Sequence, residues 1–263
     1  HVTAIDAYGS ELFTWTYNLV NVALPVLAKQ GAAPTYTSTA ELLKVSVADK
    51  EFTFSYADGQ LKGVKLGGST FSLSNGPRFI AAKRADRSMD QFTGFDIKSE
   101  GSCLYITANY KLGSFEKAIW VIDAEGTVEL DFSYNFSGVV DLMGVMFDYP
   151  EEKMLRKSWL GKGPYRVWQN RLHGPQTGIW ANDYNDPIPG ESFLYPEFKG
   201  YFADVQWMEL STSEGTVRIA NKNPEQYMGV YQPRDGRDEL LYRLPATGIA
   251  LMRVIPPVRN KVN

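Results

Sequence analysis

Apolar and polar residues alternate in short runs along this chain, and the runs are separated by turn-forming residues. Residues 50–56 (KEFTFSY) place Phe52, Phe54 and Tyr56 on one face; Ala57, Asp58 and Gly59 then turn, and residues 60–68 (QLKGVKLGG) return. Residues 103–110 set Leu104, Ile106 and Ala108 against Cys103, Tyr105, Thr107 and Asn109. Residues 118–122 turn at Ala124, Glu125 and Gly126 into a strand carrying Val128, Leu130, Phe132 and Tyr134 on one side. Residues 203–210 turn at Ser213, Glu214 and Gly215 into TVRIANK. Repeated acidic–glycine turns between alternating runs predict an all-β, antiparallel fold. At the start, residues 2–5 and 11–15 form a further strand pair, and residues 16–40 read as an irregular connector. Residues 1–40 are therefore expected to be a strand pair and connector at the edge of a preceding domain, with one sandwich domain over 41–263. Residues 159–201 do not alternate, and their Gly, Pro, Trp, Tyr and Arg content predicts an ordered, functional loop region.

Composition narrows the function classes. The 263 residues are 44% hydrophobic and 22% charged, the ordinary balance of a globular domain, and that size needs no metal or disulfide staple. A net charge of -3 offers no basic surplus for nucleic acid or an anionic membrane. A lone cysteine, Cys103, precludes an intramolecular disulfide, and two histidines argue against histidine-built metal centres. The apolar stretch 19–27 carries Asn21 and Pro25 and is far shorter than the roughly twenty residues that span a bilayer. Starting at His1, the chain reads as a piece of a longer polypeptide, with cytoplasm and periplasm both open as compartments. Aromatic residues reach 13%, which suits strands and sugar-stacking surfaces alike.

Familiar catalytic patterns are missing: there is no G-x-S-x-G, C-x-x-C or H-E-x-x-H. Residues 160–164 (LGKGP) lack the Ser or Thr that a phosphate loop needs after Lys162. No cofactor is expected. Asp183, Asn185, Asp186, Gly190 and Glu191 leave a loosely held calcium ion as an alternative to a surface turn, since their spacing departs from an EF-hand loop. His173 is the one internal histidine available as a general acid, and its Arg-Leu-His-Gly-Pro setting predicts a loop.

Three stretches carry a family likeness: WLGKGPYRVWQNR (159–171), Gly178 to Trp180 as G-x-W, and YPEFKGYFADVQWMEL (195–210). Together they resemble the C-terminal, small-chain domain of β-galactosidases of glycoside hydrolase family 2, with its W-x-G-x-G-P, Y-P-x-E and D-V-x-W elements. The hairpin at 50–68 resembles the opening of that domain. Residues 73–87 stand where the family has N-F-W-R-A-P-x-D-N-D; Asn75, Gly76, Pro77 and Arg78 keep part of it, while the R-x-P-x-D-N core is missing. The likeness covers most of 45–230. It implies a galactose-mutarotase-like β-supersandwich of two antiparallel sheets, with the catalytic glutamates in a separate (β/α)8 barrel upstream. The implied partners are that barrel, the other domains of the parent chain and a galactose-containing saccharide. The family's tryptophan near the chain end has no counterpart after Trp207.

Individual residues follow from both lines of reading. Trp159 is expected at the head of a strand and in the core; Gly161, Gly163 and Pro164 allow a sharp change of direction. Arg171, with its planar fork, is expected to clamp Glu197 or Asp204. Trp168, Trp180, Tyr195 and Tyr201 are candidate carbohydrate-binding residues on irregular loops, with loop packing as the plain alternative for each. No catalytic residue is assigned. Three functions stay open: a non-catalytic domain that docks on a glycosidase barrel and shapes its cleft, an autonomous carbohydrate-binding module, and an aldose-epimerase-like enzyme using His173.

Overall fold

The alternating runs become strands, and no α-helix occurs among the described residues of this computed structural model, which are 1–17, 27, 30–82, 89–184, 200–223, 225–231 and 248–257. In chain order the first strands are β1 (Val2–Ile5), β2 (Glu11–Trp15), β3 (Thr35–Ser38), β4 (Leu42–Val47), β5 (Lys50–Ser55), β6 (Leu61–Leu66) and β7 (Ser69–Phe71). There follow β8 (Ser74–Ala82), β9 (Gln91–Glu100), β10 (Cys103–Lys111), β11 (Phe115–Ile122), β12 (Val128–Tyr134) and β13 (Leu142–Asp148). After a 3-10 turn at Glu151–Lys153 come β14 (Met154–Gly163), β15 (Gln176–Asp183), β16 (Trp207–Thr212), β17 (Gly215–Ala220), β18 (Tyr227–Val230) and β19 (Ile249–Val254).

All pairings are antiparallel. The strands β1 and β2 form a two-stranded sheet of their own. A nine-stranded sheet runs β18-β19-β13-β8-β6-β5-β4-β3, with β7 added beside β6. Two four-stranded sheets, β12-β11-β10-β9 and β15-β14-β16-β17, complete the set. Phe54 of β5 meets Trp120 of β11 edge-on with ring centroids 5.3 Å apart, so the β9–β12 sheet lies on the nine-stranded one. Trp159, Met208 and Leu210 of the other four-stranded sheet enter the same core. Lys222, just past β17, pairs with Glu129 of β12 and sets the two smaller sheets side by side. The result is a layered, all-β sandwich.

Packing explains which runs the sequence reveals. Leu104, Ile106 and Ala108 of β10 are fully buried while Tyr105 and Thr107 on the opposite face are less so, the half-buried pattern that alternation reports. Each buried Leu or Ile contributes about 1.5–3 kcal/mol relative to exposure. The central strands behave differently. Phe79, Ala81 and Val145 fill the core against β10 and β11, while Ile80, Ala82, Leu142, Met146, Ala250 and Met252 pack on the other side against Val167, Trp168, Tyr201 and Ala203. Strands buried on both faces read as continuous apolar runs, so β8, β13 and β19 carry no alternation.

Three expectations are corrected. The connector over 16–40 contains β3, which pairs with β4 from Thr35↔Ser46 to Ser38↔Leu43. Trp159 lies in the middle of β14, not at its head. The region after it also holds a full strand, β15, where Ile179 and Ala181 face outward and Trp180 and Asn182 inward. Because Ile179 and Ala181 sit on the exposed face and Asn182 joins Trp180 on the inner one, β15 lacks a clear alternation and passes for a loop.

Candidate functional site

The two longer of the three stretches that carry the family likeness meet at one corner of the sandwich. Phe202 exchanges backbone hydrogen bonds of 2.8 and 2.9 Å with Met228 of β18. Immediately afterwards the chain crosses to the smaller sheet: Lys162 N–H donates to the Ala203 carbonyl at 2.9 Å, and Gln206 N–H to the Leu160 carbonyl at 2.8 Å. From the other side, the chain leaving β14 passes Pro164 and reaches Val167, which exchanges bonds of 2.8 and 2.9 Å with Tyr201. Residues 200–206 and 159–168 thus bind the two layers together. Asp204, at the crossing, adopts a left-handed φ of 51°, and its carboxylate pairs with Lys162 at 3.1 Å.

Glycines make room for this corner. A Cβ on Gly161 would stand 3.0 Å from the Ala203 carbonyl oxygen and the Val205 Cα, and one on Gly163 would stand 2.6 Å from the Trp180 ring. Gly178, the register partner of Gly161, would bring a Cβ within 3.1 Å of the same indole. Neither Gly161 nor Gly163 has a positive φ, so the requirement is space and not backbone freedom. The half-buried Trp180 indole lies over this glycine floor, its Nε1–H shared between the Gly161 and Gln176 carbonyls at 3.3 Å each. Gly163→Ala is expected to lower stability by about 1–3 kcal/mol by displacing that indole; a urea midpoint equal to that of the parent protein would contradict the close contact.

The other candidates are distributed as follows. Trp168 and Tyr201 come together edge-on, ring centroids 5.9 Å apart, and are 2% and 3% exposed inside the second core cluster. Trp180 packs on the first cluster instead. Arg171 is exposed and holds a backbone turn with Trp168, donating its N–H to the Trp168 carbonyl at 2.8 Å. Asp204, one of its two expected partners, is engaged by Lys162. Tyr195 and Glu197 lie outside the described residues. So do Asn185, Asp186, Gly190 and Glu191 of the calcium candidate; among the described residues no group of three or more His, Cys, Asp or Glu side chains is placed to hold a metal ion. His173 is exposed on the turn before β15.

Sequence reasoning passed over three buried or half-buried charges. Arg166, in the same motif as Arg171, is buried with its guanidinium 4.9 Å above the Phe202 ring, and burial draws its pKa down to about 10. Lys157 is fully buried in β14 and donates to the Asp183 and Tyr184 carbonyls at 2.8 and 2.5 Å. The available signal was position: Lys157 shares the inward parity of Trp159. Glu214, read only as a turn residue, accepts hydrogen bonds from Ser72 N–H at 2.9 Å, Ser72 Oγ at 2.8 Å and Tyr149 Oη at 2.8 Å, and pairs with Lys153. Desolvation pushes its pKa upward, but bonds from Lys153, Ser72 and Tyr149 outweigh it and hold the carboxyl at about 2.

Comparison with curated proteins returns no match. The family model described as beta galactosidase small chain matches residues 46–235, a span from β4 past β18 that includes both corner motifs. On that match the chain belongs to the β-galactosidase small chain family.

Proposed function

We propose that this chain is a non-catalytic domain of a β-galactosidase, docking on the catalytic barrel and shaping the cleft that receives a galactose-containing saccharide. The observation that carries this reading is the family match over 46–235. The acid chemistry of the described residues supports the non-catalytic part. A general acid of glycoside hydrolysis needs a carboxyl group whose pKa is raised. Glu214, the half-buried carboxyl on the β16–β17 turn, moves the other way, lowered by its donors.

The test uses the chain with and without the remaining polypeptide of its parent enzyme, assayed on a nitrophenyl β-galactoside. The chain alone is expected to give no turnover, and the parent enzyme lacking it is expected to regain activity when it is added back. Turnover by the isolated chain, or no reactivation on adding it back, would refute the proposal.

A further inference from the structure

We infer that Asp58, Lys62, Asn75, Arg78 and Asp148 form a binding site for the adjacent hydroxyls of a neutral saccharide. The inference goes beyond the docking role, and only its choice of a galactoside as ligand rests on that reading. The five side chains come from the β5–β6 turn, β6, β8 and the end of β13, and they form one continuous chain of contacts. Lys62 Nζ lies 2.5 Å from Asp58 Oδ2 and donates to Asn75 Oδ1 at 3.0 Å. Asn75 Nδ2 donates to Asp148 Oδ2 at 2.9 Å, and Arg78 donates to Asp148 Oδ1 at 3.2 Å.

Charge selects the class of ligand. Two cations face two carboxylates, so the cluster offers no net charge to a phosphate or a metal ion. Alternating fixed donors and acceptors on planar groups suit a neutral polyol, whose hydroxyls both give and take hydrogen bonds. Capacity is left for it: among the described residues the guanidinium makes one hydrogen bond, to Asp148, and each Asp148 oxygen accepts one from the cluster. The site is also rigidly mounted. Asn75 is held at a left-handed φ of 50°, and a Cβ on Gly76 would stand 2.4 Å from the Phe147 ring, so the backbone between Asn75 and Arg78 is pressed onto β13.

A mere strap between strands would look different. The β6 and β8 strands share one register pair, Leu61↔Gly76, and the cluster helps join them. The cluster is more open than the Glu214 clamp, which fastens other elements: the Glu214 side chain is 14% exposed, whereas Arg78 and Asp148 are 39% and 36% exposed. The cluster is open to water and to a solute.

Methyl β-D-galactoside titrated into the 263-residue chain should produce saturable amide shifts by nuclear magnetic resonance, confined to residues near 58–62, 75–78 and 146–148. Arg78→Lys retains the ion pair but loses the planar fork; it should weaken binding about tenfold with an unchanged melting temperature, and Arg78→Met should weaken it further. If Arg78→Met does not fold, Arg78→Lys decides alone. Inorganic phosphate should not compete. Absence of saturable shifts at these amides, equal affinity in Arg78→Lys, or displacement by phosphate would each overturn the site. Because the titration uses the chain by itself, failed reactivation of the parent enzyme would refute docking and leave this result standing, and the reverse outcome would remove only the site.

Discussion

Trp159→Ala is expected to cost about 4 kcal/mol of folding stability, within the roughly 3–5 kcal/mol range of buried tryptophan and phenylalanine truncations. Trp159 is 1% exposed and meets Phe202 edge-on with ring centroids 4.8 Å apart. Its Nε1–H donates to the Lys162 carbonyl at 2.9 Å, at the point where the chain turns out of β14. Alanine therefore leaves a large void and removes the donor to a carbonyl at the corner where the layers join. Urea unfolding at neutral pH measures the loss. A cost below about 1.5 kcal/mol would mean that the corner is not held by this indole.

Glu214→Gln is expected to destabilise by about 2–3 kcal/mol at pH 7, and its signature is a change in pH dependence. The carboxyl has a folded pKa of about 2, against about 4.3 for an unperturbed glutamate. A lowered folded pKa gives stability that is complete above the unfolded value and is lost as pH falls toward the folded one. The parent protein should thus lose this share between about pH 5 and pH 2, while Glu214→Gln should be nearly indifferent to that interval. The two stability curves should converge near pH 2. A gap that stays constant from pH 7 to pH 2 would show that the loss comes from packing and not from the charge. Structurally the clamp matters because it fastens the β16–β17 turn to Ser72, between β7 and β8, and to Lys153 of the 3-10 turn.

The hairpins were legible because one face of each meets water. The run at 50–56 became β5, and its return at 60–68 became β6, with Phe52 opposite Val64. The acidic–glycine turn at 124–126 likewise joins β11 to β12, where Trp120 faces Leu130. The all-β class follows from these elements alone. The centre of the large sheet was not legible in the same way, because β8, β13 and β19 are covered on both sides and lose the period of two. At the corner, the glycines of W-x-G-x-G-P were read for the change of direction that follows β14, while their second purpose was hidden: the space they leave is filled by Trp180, which sequence alone places a strand away. Pairings such as Asn75 with Asp148, or Ser72 with Glu214, join residues far apart along the chain, and no local spacing announces them.

The position of β19 bears on where this unit can be cut. It lies between β13 and β18, paired on both sides, although Ile249–Val254 falls beyond residue 235 where the family match ends. A recombinant piece terminated at the end of the match would lack an interior plank, baring the hydrogen-bonding edges of two strands together with Met228, Val145 and Met146. Such edges template aggregation. Boundaries for expression, for domain exchange between homologues or for limited proteolysis should therefore be drawn at or after Val254, whatever the profile of sequence similarity suggests.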